Sequence, residues 1–149
     1  MPPIRDKFTI HSKAVVCQDV ELKGDITIGS GSEGTIVHPK ATIFAIAGPI
    51  VIGMGCIIEE GAILVNRRKE VMRIGDDNLF EIGCRAGVLL VPTEDQALED
   101  YTVVYGPAAE QRTWSGRGKV QEADLRRKHA EYLREMLPKF NRLRRGDGA

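Results

Sequence analysis

Histidine, cysteine and aromatic residues are all scarce in this chain, and each scarcity removes a class of chemistry. The sequence has 149 residues with 3 His, 3 Cys and 5% aromatics. Cys17, Cys56 and Cys84 form no CxxC pair and are odd in number, which argues against a disulfide framework and a zinc knuckle and leaves reduced thiols as the expectation. The 4 Phe, 3 Tyr and 1 Trp are mostly scattered, so no base-stacking array for nucleic acid is present. Long apolar runs are missing too. The longest uncharged apolar stretch, Ile43 to Ile58, spans 16 residues and is broken by Gly48, Pro49, Gly53 and Gly55, short of the ~18 that a membrane-spanning helix needs. MPPIRDKF at the amino terminus has two prolines and mixed charge, without the apolar core of a secretory leader or the Arg-rich pattern of an organellar one. The expected location is the cytoplasm.

Net charge is also absent, with 21 Lys+Arg against 21 Asp+Glu, yet the two ends differ. Residues 1–110 carry 10 basic and 16 acidic side chains, and residues 111–149 carry 11 and 5. Such asymmetry predicts a two-part chain whose basic end is a solvated helix or faces an acidic surface.

What is abundant is a repeat. Apolar residues recur every six positions: Ile10, Val16, Leu22, Ile28, then Val37, Ile43, then Ile52, Ile58, Leu64, then Ile74, Phe80, Ala86. A second set, four positions later, reads Ala14, Val20, Ile26, Ala41, Ala47, Cys56, Ala62, Asn78 and Cys84. The last residue of one hexad and the first of the next lie two apart, so on an extended chain both point inward and the residue between them points out. Glycines at 24, 29, 53, 55, 61, 75 and 83 supply corners. β-Branched residues, glycine and a period of six rather than 3.6 oppose a helix and predict a parallel β-helix of about four to five coils. Four coils are explicit: 10/16/22, 28/37/43, 52/58/64 and 74/80/86. Loops are expected at GSGSEG, around Gly48-Pro49 and at Arg67-Arg68-Lys69.

The resulting partition has an arm (1–8), a β-helix (9–106), a connector (107–118), an amphipathic helix (119–145) and a tail (146–149). Val103, Val104 and Tyr105 read as a last strand before the stop at Gly106-Pro107. Leu125, Tyr132, Leu133, Met136, Leu137, Phe140 and Leu143 form the helix stripe, and Pro138 is expected to kink or divide it.

Outward residues distinguish the faces. Val15, Ile36, Ile57 and Leu79 form one row; Glu21, Thr42, Ile63 and Arg85 form another; Thr27, Val51 and Arg73 form the third. Only the first is apolar throughout, so it needs a cover: either the chain's own terminal helix or a partner. The three basic residues Arg67, Arg68 and Lys69 are a further candidate contact for an acidic partner, with a solvated charge run as the alternative.

The runs VVCQDVELKGDITIG, IVHPKATIFAIAGPIVIG, CIIEEGAILVN, IGDDNLFEIGC and YTVVYG resemble the dynactin subunit 6 family over about residues 9–106. HPKA, AGPIVIG and NLFEIGC in this order are the specific part. The resemblance implies a left-handed β-helix and a non-catalytic subunit at the pointed end of dynactin, with no cofactor. It also implies dynactin subunit 5 as a sister β-helix, dynactin subunit 4 and the pointed-end actin-related protein as neighbours, dynein and cargo adaptors as indirect partners, and a cytoskeletal setting. The family pattern has about one and a half further coils between NLFEIGC and VVYG, a span that this chain crosses in about twenty residues.

Enzymes also use hexad repeats, as γ-class carbonic anhydrases and acyltransferases do, and both form homotrimers. A zinc site needs clustered histidines, whereas His11, His38 and His129 fall on different elements, with none in the third and fourth coils. An acyltransferase needs a histidine base, and His38, with no carboxylate that the sequence can place as its orienter, is the one plausible choice. GSGSEG matches G-x-G-x-x-G but leads into TIVHP, which cannot start a phosphate-binding helix. No catalytic, cofactor-binding or metal residue is therefore expected. Cys56 and Cys84 are expected as core thiols, and Asn78 as a bond-former to corner backbone.

Overall fold

Ile10, Ile28, Ile52 and Ile74 stand directly above one another in successive parallel strands. The same holds for Val16, Val37, Ile58 and Phe80 and for Leu22, Ile43, Leu64 and Ala86. The computed structural model describes residues 5–29, 34–88, 102–105 and 110–144. Its first coil contains β1 (Lys7–Ile10), β2 (Val15–Val16) and β3 (Glu21–Lys23). The second contains β4 (Asp25–Ile28), β5 (Ile36–Val37) and β6 (Thr42–Ala45), and the third β7 (Ile50–Ile52), β8 (Ile57–Ile58) and β9 (Ile63–Asn66). The fourth contains β10 (Met72–Ile74), β11 (Leu79–Phe80) and β12 (Arg85–Val88). Every third strand pairs, giving three parallel four-stranded sheets, β1-β4-β7-β10, β2-β5-β8-β11 and β3-β6-β9-β12. This is the four-coil parallel β-helix that the hexads predict.

The chain divides into two compact units, residues 1–90 with 130–149, and residues 91–129. In the first, a continuous core runs up the axis: Val16, Ile26, Val37, Ile43, Ile50, Ile58 and Leu64 have no measurable exposure. A stacked aliphatic column is stable because each rung buries apolar area both above and below, at roughly 25 cal/mol per Å². In the second, β13 (Thr102–Tyr105) pairs antiparallel with β14 (Glu110–Thr113). Thus the stretch read as connector contains a strand. The helix α1 (Lys119–Phe140) begins in this unit and ends in the other. It remains one continuous element through Pro138.

Corners explain the small residues. Gly29, Gly53 and Gly75 follow Ile28, Ile52 and Ile74, and one corner further the column reads Ala14, Thr35, Cys56, Asn78. Thr35 Oγ1 donates to the Gly53 carbonyl at 2.6 Å, and the Cys56 thiol to the Gly75 carbonyl at 3.1 Å. Asn78 Nδ2 also donates to that Gly75 oxygen, at 2.9 Å. The Gly53 and Gly75 corner carbonyls therefore find side-chain donors. Asn78 itself is exposed on the fourth coil. At the next corner Lys40, Gly61 and Gly83 occupy equivalent places with φ of 63°, 73° and 70°. Gly24 is required at its corner, since a Cβ there would stand 2.1 Å from the Ala45 carbonyl oxygen, with φ at +89°.

Two differences from the hexad reading have local causes. Ala47, assigned inward, is exposed, and Ile50 fills that place above Ile26. Ile46 N–H and Ala47 N–H both donate to the Asn66 carbonyl, so the chain bulges before re-entering the sheet. At the start, Lys7 and Phe8 belong to β1, not to an arm, and Phe8 stacks on Ile26. Much of the segment TEDQALEDYTVVYG, like residues 30–33 of the GSGSEG loop, lies outside the described residues.

Candidate interaction faces

The apolar row predicted on the β2-β5-β8-β11 sheet is assembled as a row: Val15, Ile36, Ile57 and Leu79 are mutual register partners. The chain's own carboxy-terminal segment lies on it. Val15, Ile36 and Ile57 are buried together with Ala130 and Leu133, with Leu137 and Leu143 packed alongside. Arg134 Nη2 adds a bond to the Gly34 carbonyl at 3.0 Å. Leu79, one rung above, stays 50% exposed. Of the expected stripe, Leu133 faces the prism, while Leu125, Tyr132 and Phe140 are exposed. Ala130 is the buried helix residue that a search for large apolar side chains misses; its spacing of three from Leu133 and seven from Leu137 is the signal that finds it.

Beyond the helix the chain turns across the first coil. Gln18 N–H donates to the Arg142 carbonyl at 2.6 Å, and Arg144 N–H to the Val16 carbonyl at 2.7 Å. This makes an antiparallel bridge between Cys17 and Leu143 on the outer edge of β2. An edge strand with free N–H and C=O groups is a template for unwanted pairing, and this segment occupies it.

Among the described residues, the buried α1 side chains Ala130 and Leu133 cluster with the apolar row and not with the outward residues of the other two sheets. Outward on β1-β4-β7-β10 stand Thr9, Thr27, Val51 and Arg73. Outward on β3-β6-β9-β12 there are two rows, because β6, β9 and β12 are four residues long: Glu21, Thr42, Ile63, Arg85, and beside it Lys23, Phe44, Val65, Gly87. Phe44, Ile63 and Val65 are half-buried and form an apolar centre between charged ends. Sequence reading found the first row only. The signal for the second is the apolar residue directly after each inward Ile43 and Leu64.

Arg67, Arg68 and Lys69 sit in the loop between β9 and β10. Asn66 organises that loop: it is fully buried, its Nδ2 donates to the Pro49 and Glu70 carbonyls at 3.0 and 2.9 Å, and its Oδ1 accepts from Arg68 N–H at 3.0 Å. Arg68 pairs with Glu70 at 3.4 Å, while Arg67 and Lys69 project into solvent.

Chemistry at the remaining polar groups is limited. Cys17, Cys56 and Cys84 are free thiols. Burial, with a smaller push from Asp19, raises Cys17 to about 11, and burial is the main cause that raises Cys56 and Cys84 as well. A thiol held protonated is a poor nucleophile. His11 Nδ1 accepts from Lys13 N–H at 3.3 Å, and His129 is exposed on α1. Among the described residues, no three His, Cys, Asp or Glu side chains group where they could hold a metal, and no helix is long and apolar enough to cross a membrane.

No protein-family model matches the chain. Individual relatives do. The chain is 30% identical to dynactin subunit 6 of Danio rerio, over 91% of this chain and 87% of that one. With the Nematostella vectensis protein of the same name it shares 29% identity over 93% of each. With that of Caenorhabditis elegans it shares 36% over 56% of this chain and 45% of the relative. The Nematostella alignment has 179 positions, so about 40 of them have no counterpart in a 149-residue chain. Its shorter length relative to the family pattern is thus an internal difference. With near-complete coverage of both sequences, this chain belongs to the dynactin subunit 6 family.

Proposed function

We propose that the chain is a non-catalytic structural and interaction subunit of the dynactin pointed-end complex, supporting dynein-driven transport and cargo-adaptor binding in the cytoplasm on the cytoskeleton. The observation that carries this reading is the alignment with dynactin subunit 6 over 91% of this chain and 87% of the Danio relative. The partners are dynactin subunit 5 as a sister β-helix, dynactin subunit 4 and the pointed-end actin-related protein, with dynein and cargo adaptors reached indirectly.

A rigid prism acts by presenting faces. In this reading the sister β-helix lies against the β3-β6-β9-β12 sheet, where Phe44, Ile63 and Val65 supply apolar contact and Glu21, Lys23 and Arg85 set register by charge. Leu79 and the basic loop Arg67, Arg68 and Lys69 are further contact candidates at the upper part of the prism. Val15, Ile36 and Ile57 lie under the chain's own segment and join a contact only when that segment leaves.

The test is capture of the tagged full chain from cytosol at moderate salt, with mass spectrometry and metal analysis of the eluate. The expected result is recovery of a sister β-helix and actin-related subunits without stoichiometric zinc, and loss of the sister subunit from a Phe44→Glu chain. A homotrimer free of these partners would overturn the reading.

A further inference from the structure

The Ala130–Arg144 segment makes two kinds of contact with the prism. Its helical part lays Ala130, Leu133 and Leu137 along Val15, Ile36 and Ile57. Three rungs at the usual strand spacing span roughly 10 Å, and seven helical residues rise about the same distance, so one helix face matches one row. Its extended part pairs antiparallel with β2 through Gln18 and Val16, and Leu143 packs beside the helix contact. Arg144 closes the arrangement, with Nη2 bonded to the Gln18 and Val20 carbonyls at 3.2 and 3.0 Å and its guanidinium 5.8 Å from the Phe8 ring.

The prism does not need this segment for its own core. The axial cluster is built from coil residues, and among the described carboxy-terminal residues Leu137 is the one packed against it. From the segment, only Ala130 and Leu133 are buried, whereas Tyr132, Glu135, Pro138, Lys139, Phe140 and Arg142 are exposed. Ordering fifteen residues against so few buried side chains yields a local unit that opens well before the prism unfolds. Opening would bare an apolar row of three rungs and an edge strand together.

We propose that the Val15–Ile36–Ile57 row with the β2 edge is a docking site for a helix-then-strand segment, filled here by Ala130–Arg144 as a releasable latch, and open to the same segment of a second copy. The occupant follows from identity: a second copy's segment reproduces every contact, as in domain exchange, at no cost in new chemistry. The tethered segment competes at high effective concentration, which keeps the site closed in a dilute single chain.

The test uses a fluorescent peptide of residues 128–144 titrated into the full chain, read by anisotropy. Leu133→Asp weakens the latch and leaves the row intact, so this chain should bind the peptide at least ten-fold more tightly than the unaltered chain. Adding Ile36→Asp should abolish that gain. Equal affinity of the two chains, or binding that survives Ile36→Asp, overturns the proposal. So does loss of the β-sheet circular dichroism signal in Leu133→Asp, because the prism must stand with its latch open. Arg144→Ala, which touches only the strand part, should raise peptide affinity by a smaller factor, about three-fold. None of these readouts involves other dynactin subunits, so failure here and failure of the assembly reading are separable.

Discussion

Arg144 reaches across 124 residues of sequence to donate to the carbonyl oxygen of Val20 at 3.0 Å, and with the same nitrogen to Gln18 at 3.2 Å. These carbonyls lie beside the first coil's β2 edge, where among the described residues no lower rung donates the usual ladder N–H. A guanidinium suits the place because the two hydrogens of Nη2 serve two oxygens while the cation lies over the Phe8 ring.

Arg144→Ala should therefore destabilise the chain by about 1–2 kcal/mol. Amide exchange at Gln18, whose N–H donates to the Arg142 carbonyl, should accelerate more than exchange at the axial core. Arg144→Lys should recover part of the loss. Unchanged Gln18 protection in Arg144→Ala would show that the residue does not hold the strand in place.

Leu64 is fully buried between Ile43 and Ala86 in the axial stack. Leu64→Ala should cost about 2–5 kcal/mol, because rungs above and below hold the void open. The urea midpoint should fall with the slope of the transition unchanged.

Lys40 adopts φ of 63° at the corner where Gly61 and Gly83 stand in the next coils. A left-handed non-glycine residue costs about 1–2 kcal/mol, and glycine's greater unfolded-state freedom returns about 0.5–1 kcal/mol of that. Lys40→Gly should consequently be neutral or stabilise by up to about 1 kcal/mol. The exposed ion pair with Glu60 at 3.9 Å is too solvated to alter the sign. Thermal denaturation of the two chains side by side decides it.

Burial pushes Cys17 from 9.0 to about 11. Between these values the unfolded thiol has released its proton while the native one retains it, so the unfolded state binds fewer protons. Stability must then fall as pH rises through that window. Urea denaturation from pH 8 to 10.5 should show a steeper decline in the parent chain than in Cys17→Ala. A maleimide at pH 8 should modify half-buried Cys84 before fully buried Cys17 and Cys56.

Sequence by itself determined the register of the prism. Inward side chains recur at fixed steps, and a shift of one residue would turn every isoleucine of a strand to solvent, so Ile10, Ile28, Ile52 and Ile74 can stack in one way only. The same periodicity told which residues share an outer row. It failed where loop geometry sets the phase, as at Ala47 and Ile50, because a bulge is decided by which carbonyl the returning chain meets. Tertiary structure alone decided what covers the apolar row and how the first coil ends. Both depend on contacts between Val15 or Val20 and residues more than a hundred positions away, and apolar patterning shows that a surface needs a partner without saying which segment reaches it.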